Sequence, residues 1–430
     1  MCRIMKKLII LYPHFPPSNL AGVHRARLFA RHLPAFGWEP LILTVHEDYY
    51  EEMPDHALVK LLPAGLRIEK VKALKRRGPI GDIGLRGFFQ LYKKAKEIIR
   101  KENPDFLYIP IPSFYCALLG RLLHARTGIK YGIDYIDPWV HSFPGSEKTF
   151  SRHWFSTKLA KMLEPIALKK ASLITGVAEG YYLPVLQRNP SLQNIISGAM
   201  PYGGEKEDHD IISTLDIEPY LFKKKAGKVQ LVYAGAMLPK AYEPLEKIFE
   251  AIVCAKESFA DVEFHFIGTG SSPNDPLGYN IKPLAEKYGL WNSIVFEYPA
   301  RIPYLDVLVH LNMSDAAFIL GSTEPHYTPS KVYQSILSGK PLLAVLHRDS
   351  SAVKVTEDSG AGIVLAFNGA SDTDRIRDEF AGCFSRFRDF MKTFGKENVN
   401  AAVFNEYSAL AVTGKLAKLL DEAVKKGGKG

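Results

Sequence analysis

Lys331 is the side chain with the clearest chemical prospects, because of what surrounds it in the stretch STEPHYTPSKVYQSILSGKPLLAV, Ser322 to Val345. The loop ends at Pro329-Ser330, a helix is expected to begin near Ser330-Lys331, and Gly339-Lys340-Pro341 turns it into the next strand. That pattern aims a helix N-terminus, the Ser330 hydroxyl and the Lys331 ammonium at one place, which suits a diphosphate. His326 stands in the loop and Gln334 near the helix start, each able to hydrogen-bond a ligand hydroxyl. Taken singly, Lys331 reads as an exposed lysine and His326 as a loop histidine without a task.

Three other stretches carry similar prospects. LVYAGAMLPKAYEPLEKIFEAI, Leu231 to Ile252, and FHFIGTGSS, Phe264 to Ser272, each describe a strand ending in glycine, Gly235 and Gly268, where phosphate or base can approach the backbone. Lys240 follows the first of them. The lone Gly-x-Gly of Gly268 to Gly270 carries little by itself. In the amino-terminal half, LYPHFPPSNLAGVHRARLFARHLPAFGWEPLILT, Leu11 to Thr44, reads as a strand, a Pro/Gly loop and a helix, with Gly22 at the turn and Arg25 one turn inside. A simple strand-to-helix turn would look the same. YGIDYIDPWVHSF, Tyr131 to Phe143, brings Asp134 and Asp137 to a strand end, where a carboxylate within hydrogen-bond reach could help deprotonate an acceptor hydroxyl. The plain alternative is that Asp137-Pro138 initiates a turn.

In their order these four stretches resemble the family-4-type, or group 1, glycosyltransferases of the GT-B fold, over nearly the whole chain. The resemblance implies a nucleotide diphosphate sugar as donor substrate, no further cofactor, and retaining transfer to a glycan or lipid-linked acceptor hydroxyl in cell-surface polysaccharide biosynthesis. It implies donor binding by Gly22, Arg25, Gly235, Lys240, Gly268, Ser330, Lys331 and Gln334, and catalytic roles for Asp137 and His326. The pattern is broken at Ile136 and Ala236, where arginines are usual, and at His326 and Gln334, which replace two glutamates eight positions apart. The departures at Ala236, His326 and Gln334 keep open a catalytically degenerate relative acting as a binding protein; a nucleotide-sugar epimerase of the same architecture, turning over donor without acceptor, is a third reading. No metal is required, since no Asp-x-Asp follows a strand and no His/Cys cluster is present.

The elements that must position these residues are α/β throughout. Short apolar runs alternate with helix-like stretches, the pattern of parallel sheets with crossover helices. Strands are expected at 7–12, 40–45, 106–109, 131–134, 173–177 and 194–196, then at 229–234, 262–267, 294–297, 316–320, 341–345 and 362–365. A helix is expected over 21–36, closed by Gly37. The polar stretch 201–228 reads as a linker between a domain at 1–200, on the acceptor side, and a nucleotide-sugar-binding domain at 229–404. An amphipathic helix at 405–424 is expected to pack back on the first domain. The fold class is GT-B: two doubly wound Rossmann-like domains facing each other across a cleft.

Composition agrees with a folded chain of two domains. Of 430 residues, 47% are apolar and 23% charged, which excludes disordered and fibrous classes. The four cysteines, Cys2, Cys116, Cys254 and Cys383, lie far apart and offer neither a disulfide framework nor a zinc site, so a reducing cytosol fits. The opening run is too short for a signal peptide and no apolar run is long enough to span a membrane, so the expected location is cytoplasmic, with peripheral attachment at the inner membrane surface left open. The net charge of +9 is matched by 67–101 alone, where twelve Lys/Arg face three acids. A solvated face, contact with an anionic membrane, or nucleic acid would each account for such a patch. No nucleic-acid recognition motif accompanies it, and no nucleic acid partner is expected.

Overall fold

The computed structural model describes residues 5–76, 81–140, 149–270, 272 and 274–426. Residues 141–143 and 271 of the stretches above, Arg77 of the basic patch and Cys2 lie outside the described residues. The chain forms two compact units, one of residues Met1–Tyr202 and Ala409–Gly430, the other of Gly203–Ser408.

The first unit holds a seven-stranded sheet: β1 Lys6–Leu11, β2 Trp38–Val45, β3 Arg67–Val71, β4 Phe106–Ile111, β5 Tyr131–Tyr135, β6 Leu173–Gly176 and β7 Ile196–Ala199, in the order β3-β2-β1-β4-β5-β6-β7. The second holds six: β8 Val229–Ala234, β9 Val262–Ile267, β10 Val295–Tyr298, β11 Ala316–Leu320, β12 Leu342–His347 and β13 Gly362–Phe367, in the order β10-β9-β8-β11-β12-β13. Every strand pair is parallel. Each sheet is therefore doubly wound, reversing direction where β1 meets β4 and where β8 meets β11, and ligands of such sheets bind beyond the strands' carboxyl ends at that reversal. Central strands covered on both faces read as unbroken apolar runs, as FLYIPI in β4 does with all six residues buried.

Twelve strands fall where the apolar runs place them, with ends shifted by a few residues. The thirteenth, β3, was missed because RIEKV is an edge strand with only Val71 buried, and its charges read as part of the basic patch. The helix from Ala21 runs to His32 and tightens to a 3-10 turn over Leu33–Phe36, since Pro34 cannot donate to an α-helical bond. Gly37, at φ +81, closes it as expected.

Residues 201–228 are not a free linker. Gly203 onward is counted in the second unit, Lys206–Asp210 is helical, Phe222 stacks on His265 at 3.7 Å, and the Tyr220 and Leu221 amides both donate to His310 Nε2. The polar composition that suggested a linker belongs to a strap anchored at a few points, with Phe222 buried and the amides before it bonded to His310. The last helix, Ala409–Lys425, packs on the first unit, with Val412, Leu416 and Leu420 fully buried beside Leu8, Ile10, Phe29 and Trp38.

Truncating Leu416 to alanine should cost about 2 to 5 kcal/mol. Hydrogen exchange should then lose protection in Lys6–Leu11 and Ala409–Lys425 while Val229–Ala234 is unchanged; equal loss in both sheets would show that the units do not unfold separately.

Candidate functional site

In the second unit the carboxyl ends of β8, β9 and β11 gather the segments that begin at Leu231, Phe264 and Ser322. Gly235 directly follows β8 at φ +127, a conformation closed to side chains, and a Cβ there would stand 3.1 Å from Lys331 Nζ. Lys331 thus meets a residue almost a hundred positions earlier. Its ammonium lies 3.6 Å from the centroid of the Tyr233 ring. The stem of the side chain is partly exposed, but Nζ is enclosed and has no hydrogen-bond partner among the described residues. Burial without an acceptor pushes this lysine down to about 7. The contact with the ring favours the cation, yet a cation–π contact is worth only about 0.5 to 2 kcal/mol and does not restore lost hydration.

The helix behind Lys331 is short, seven residues over Lys331–Leu337, and Val332 N already donates to Pro329 O. The Ser330 hydroxyl caps no amide of that helix. The ammonium therefore carries more of the local positive potential than the helix does. Lys240 Nζ donates to Glu324 Oε1 at 3.1 Å, and the Lys240 carbonyl accepts from Thr323 N. His326 is close enough to feel both charges; burial lowers its basicity, Glu324 raises it and Lys240 lowers it, with a net downward shift. Gln334, expected near a ligand, is held through its side-chain oxygen by His209 Nε2 at 2.9 Å. That oxygen can only accept, so His209 carries its proton on Nε2, and burial keeps the imidazole neutral. Gly268, at φ +70, donates to Tyr298 O and lies against the backbone of Arg301, while a Cβ on Gly270 would collide with Pro299 O.

The first unit departs from expectation at two residues. Arg25 does not offer its charge to a ligand. It is fully buried, donates from Nε and Nη2 to Asp134 at 2.6 and 3.0 Å, and from Nη1 to the carbonyls of Met200 and Pro201. Asp134 also accepts from Thr175 Oγ1, which Tyr108 contacts in turn. Both groups are satisfied internally and tie β5, β6 and the end of β7 to the first helix. Gly22 likewise makes room for protein, not ligand, since a Cβ there would fall on the Tyr12 hydroxyl with Ile136 beside it.

Asp137 is different. It follows β5, stays open to solvent, and has no hydrogen-bond partner among the described residues, while the protein crowded around it raises its carboxyl to about 6. Trp139, two residues on, stacks on Phe114, 5.8 Å apart and 6° from parallel. The same sheet edge holds a cluster that carries no motif. Glu52 Oε1 accepts from Ser18 Oγ and lies 3.0 Å from His14 Nδ1. Burial opposes ionisation of Glu52, but the bonds to His14 and Ser18 outweigh it and hold the carboxyl at about 2. Asp82, raised by burial, accepts from Ser113 Oγ at 3.1 Å. His14 and Ser18 belong to the segment Leu11 to Thr44; Glu52 and Asp82 reach the edge by folding alone, as His209 does in the second unit. Among the described residues no three His, Cys, Asp or Glu side chains group as metal ligands, and no helix is long and apolar enough to cross a membrane.

No protein-family model and no curated protein matches this chain. Solved structures do match over nearly its full length. A glycosyltransferase from Rickettsia africae is 18% identical with a TM-score of 0.63, covering 98% of this chain and 100% of its own. Anabaena HepE in complex with UDP-glucose is 13% identical with a TM-score of 0.62, covering 97% and 100%. A Listeria monocytogenes structure assigned as a UDP-N-acetylglucosamine 2-epimerase is 12% identical with a TM-score of 0.52, covering 99% and 98%. At these identities the likeness establishes the fold, two Rossmann-like parallel sheets of the GT-B class.

Between about 7 and the ordinary 10.5 the unfolded chain holds the Lys331 proton that the folded chain releases, so the contribution of this group to stability grows as pH rises through that window. Wild type should therefore gain stability relative to Lys331→Met between pH 7 and pH 9, the methionine variant being the more stable at pH 7 by about 1 kcal/mol. Denaturant unfolding at the two pH values checks this; a constant difference would mean that the ammonium is not desolvated.

Proposed function

We propose that the protein is a glycosyltransferase that moves a sugar from a nucleotide diphosphate sugar to an acceptor hydroxyl. The observation that carries this reading is the enclosed Lys331 ammonium beside the glycine at the end of β8, a cation without an acceptor in a place where backbone leaves room. A donor diphosphate supplies the missing acceptor oxygens. Ser330 and the glycine backbones at 235 and 268 complete the phosphate and base contacts, and Lys240 stands by as a second cation once Glu324 yields it. Charge that builds on the leaving diphosphate is met by these fixed donors, a form of electrostatic stabilisation that needs no metal ion. The neutral His326 and the free amide group of Gln334 suit hydroxyls of the sugar and ribose.

Acceptor chemistry belongs to the first unit. Asp137 is unpaired, solvent-reachable and raised toward the range in which a carboxylate works as a base. We assign it the acceptor hydroxyl's proton and take the acceptor to be a glycan or lipid-linked sugar, with retention of anomeric configuration, as in cell-surface polysaccharide synthesis. Arg25 acts only by holding Asp134 and the chain at Met200 and Pro201 in place. The protein works in the cytoplasm. Membrane attachment through 67–101 has little support, because Arg67, Lys70, Arg76 and Arg86 pair with Glu102, Glu47 and Glu51. A second reading, an epimerase, draws on the Listeria neighbour and on Ala236, where a second diphosphate-binding cation is missing; it predicts turnover of donor without acceptor.

In a screen of nucleotide sugars scored for nucleoside diphosphate release, Lys331→Ala should lose at least about a hundredfold, the range for removing a donor aimed at developing charge. At pH 8 nucleotide binding should also take up a proton, since the free lysine is then mostly neutral, and calorimetry in two buffers of different ionisation heat reads it directly. Unchanged release in the variant would remove Lys331 from the site, and accumulation of an isomerised donor in the absence of acceptor would select the epimerase.

The transfer rate should climb with pH to a plateau above about 6 as Asp137 ionises. Asp137→Asn should abolish that limb together with most of the rate; a variant that kept the same pH profile would show that another group takes the proton.

A further inference from the structure

The helix Arg152–Leu168 carries an apolar face that nothing among the described residues of its own unit explains. Its inner face is ordinary: Ala160, Ala167 and Leu168 are buried in the first unit's core, with Leu163 packed against it, and Glu164 is held inside by Arg188 and Tyr135. On the other side Phe155, Leu159, Met162 and Ile166 are exposed, by 55, 36, 58 and 50%. Their spacing of four, three and four places them in a single line, within about 60° of arc and roughly 16 Å long. A helix apolar on both faces is normally covered on both.

Two further features surround the stripe. At its start Phe150, Trp154 and Phe155 form an aromatic cluster, with ring centroids 5.0 to 6.2 Å apart. Phe150 is 74% exposed and held at φ +65, a left-handed conformation unfavourable for a bulky residue. Along one flank Lys158 and Lys161 are exposed, followed by Lys169 and Lys170, and Lys158 Nζ lies 5.4 Å over the Trp154 ring. The only acid between residues 149 and 170 is the buried Glu164, so within this segment the lysines have no exposed acid beside them.

We propose that this helix is a membrane-contact element that lies in the plane of an anionic lipid bilayer, its apolar line in the acyl boundary and its lysines among the headgroup phosphates. An exposed apolar stripe, aromatic residues at one end and uncompensated lysines on the flank are what an interfacial helix requires. Seventeen residues are too few to span a bilayer, and the inner face is already engaged, so the helix lies on the surface. A second copy of the chain fits less well. Antiparallel pairing through the stripe would set one lysine flank against the other, with no acid to offset the repulsion. The helix follows β5 and the Asp137 loop, so its aromatic start belongs to the sheet edge that holds Asp137. A lipid-linked acceptor would meet that edge from the bilayer. The lipid contact itself does not depend on donor binding.

Flotation of the full-length protein with vesicles tests the assignment. Wild type should float with phosphatidylglycerol-containing vesicles and bind pure phosphatidylcholine at least about tenfold less, with the preference falling between about 0.05 and 0.5 M salt. The double variant Phe155→Ser, Met162→Ser should lose at least about tenfold in binding to anionic vesicles at either salt. Lys158→Glu with Lys161→Glu should lose only the anionic preference, whereas Lys93→Glu with Lys96→Glu, in the basic patch, should bind as wild type does. Thermal unfolding and nucleotide titration of each variant show that fold and donor site are intact, so failure of the lipid contact and failure of the transferase reading are separable. The proposal is overturned if wild type does not float, if the stripe variant floats equally well, or if the stripe variant instead abolishes a concentration-dependent dimer.

Discussion

Parallel pairing is the constraint from which the arrangement follows. When every strand of a sheet points the same way, every connection must return along a face, and all the carboxyl ends open on one edge. In the second unit that edge receives Gly235 after β8, Gly268 after β9 and the loop to Lys331 after β11. Residues separated by nearly a hundred positions become neighbours because β8 pairs with both β9 and β11. The same rule in the first unit brings His14 after β1, Glu52 after β2 and Asp137 after β5 to one edge. What each edge can bind is then a matter of the few side chains that the loops supply.

Those loops treat buried charge in two opposite ways. Arg25 is completely enclosed, but its guanidinium has a bidentate carboxylate and two carbonyls, so it stays charged and holds its neighbours in place. Lys331 is enclosed with only a ring face for company, and its basicity falls accordingly. A fold selected for stability alone would have a methionine there, since replacing an unsatisfied buried charge with an apolar side chain of similar size is commonly stabilising. The cost of leaving the ammonium unpaired makes sense if an anionic ligand completes it. Arginine, with its fixed fork, serves the permanent contact, and lysine, a single movable charge, the intermittent one.

This difference marks where the sequence was legible. Twelve strands could be placed because each carries a short apolar run, a signal that is local. β3 could not, because an edge strand needs only one inward residue and its charged side chains obey no core. The stretches around Lys331, Gly235 and Gly268 were visible as motifs, and the pairing of Lys331 with Gly235 follows from sheet order. By contrast nothing local distinguishes an arginine that will find Asp134 from one that will face solvent: Arg25 and Asp134 are 109 positions apart. Glu52, Asp82 and His209 were silent for the same reason. The apolar line of Arg152–Leu168 was hidden differently, since a helix apolar on two faces reads as a core helix until burial tells the faces apart.

The residues that break the resembling pattern can be understood through their partners. Where two glutamates would bracket the loop before Lys331, this chain has His326 and Gln334, and the sequence pattern lacks a carboxylate there. Folding restores one: Glu324, two residues earlier, reaches Lys240 and influences His326. A carboxylate, a lysine and an imidazole therefore share one corner, though the carboxylate enters paired with protein. Gln334 lost its charge and gained His209 as a neighbour, and a buried neutral imidazole would be a poor companion for a carboxylate that also had to remain ionised. Glutamine and histidine at these places are thus a matched set: neutral donors and acceptors that orient hydroxyls, with the net positive charge of the corner left to Lys331. On the proposed reading, a site built this way would discriminate by hydrogen-bond geometry around the sugar and by Lys331 at the diphosphate, with Lys240 held back by Glu324, which would tie donor affinity closely to the protonation of Lys331.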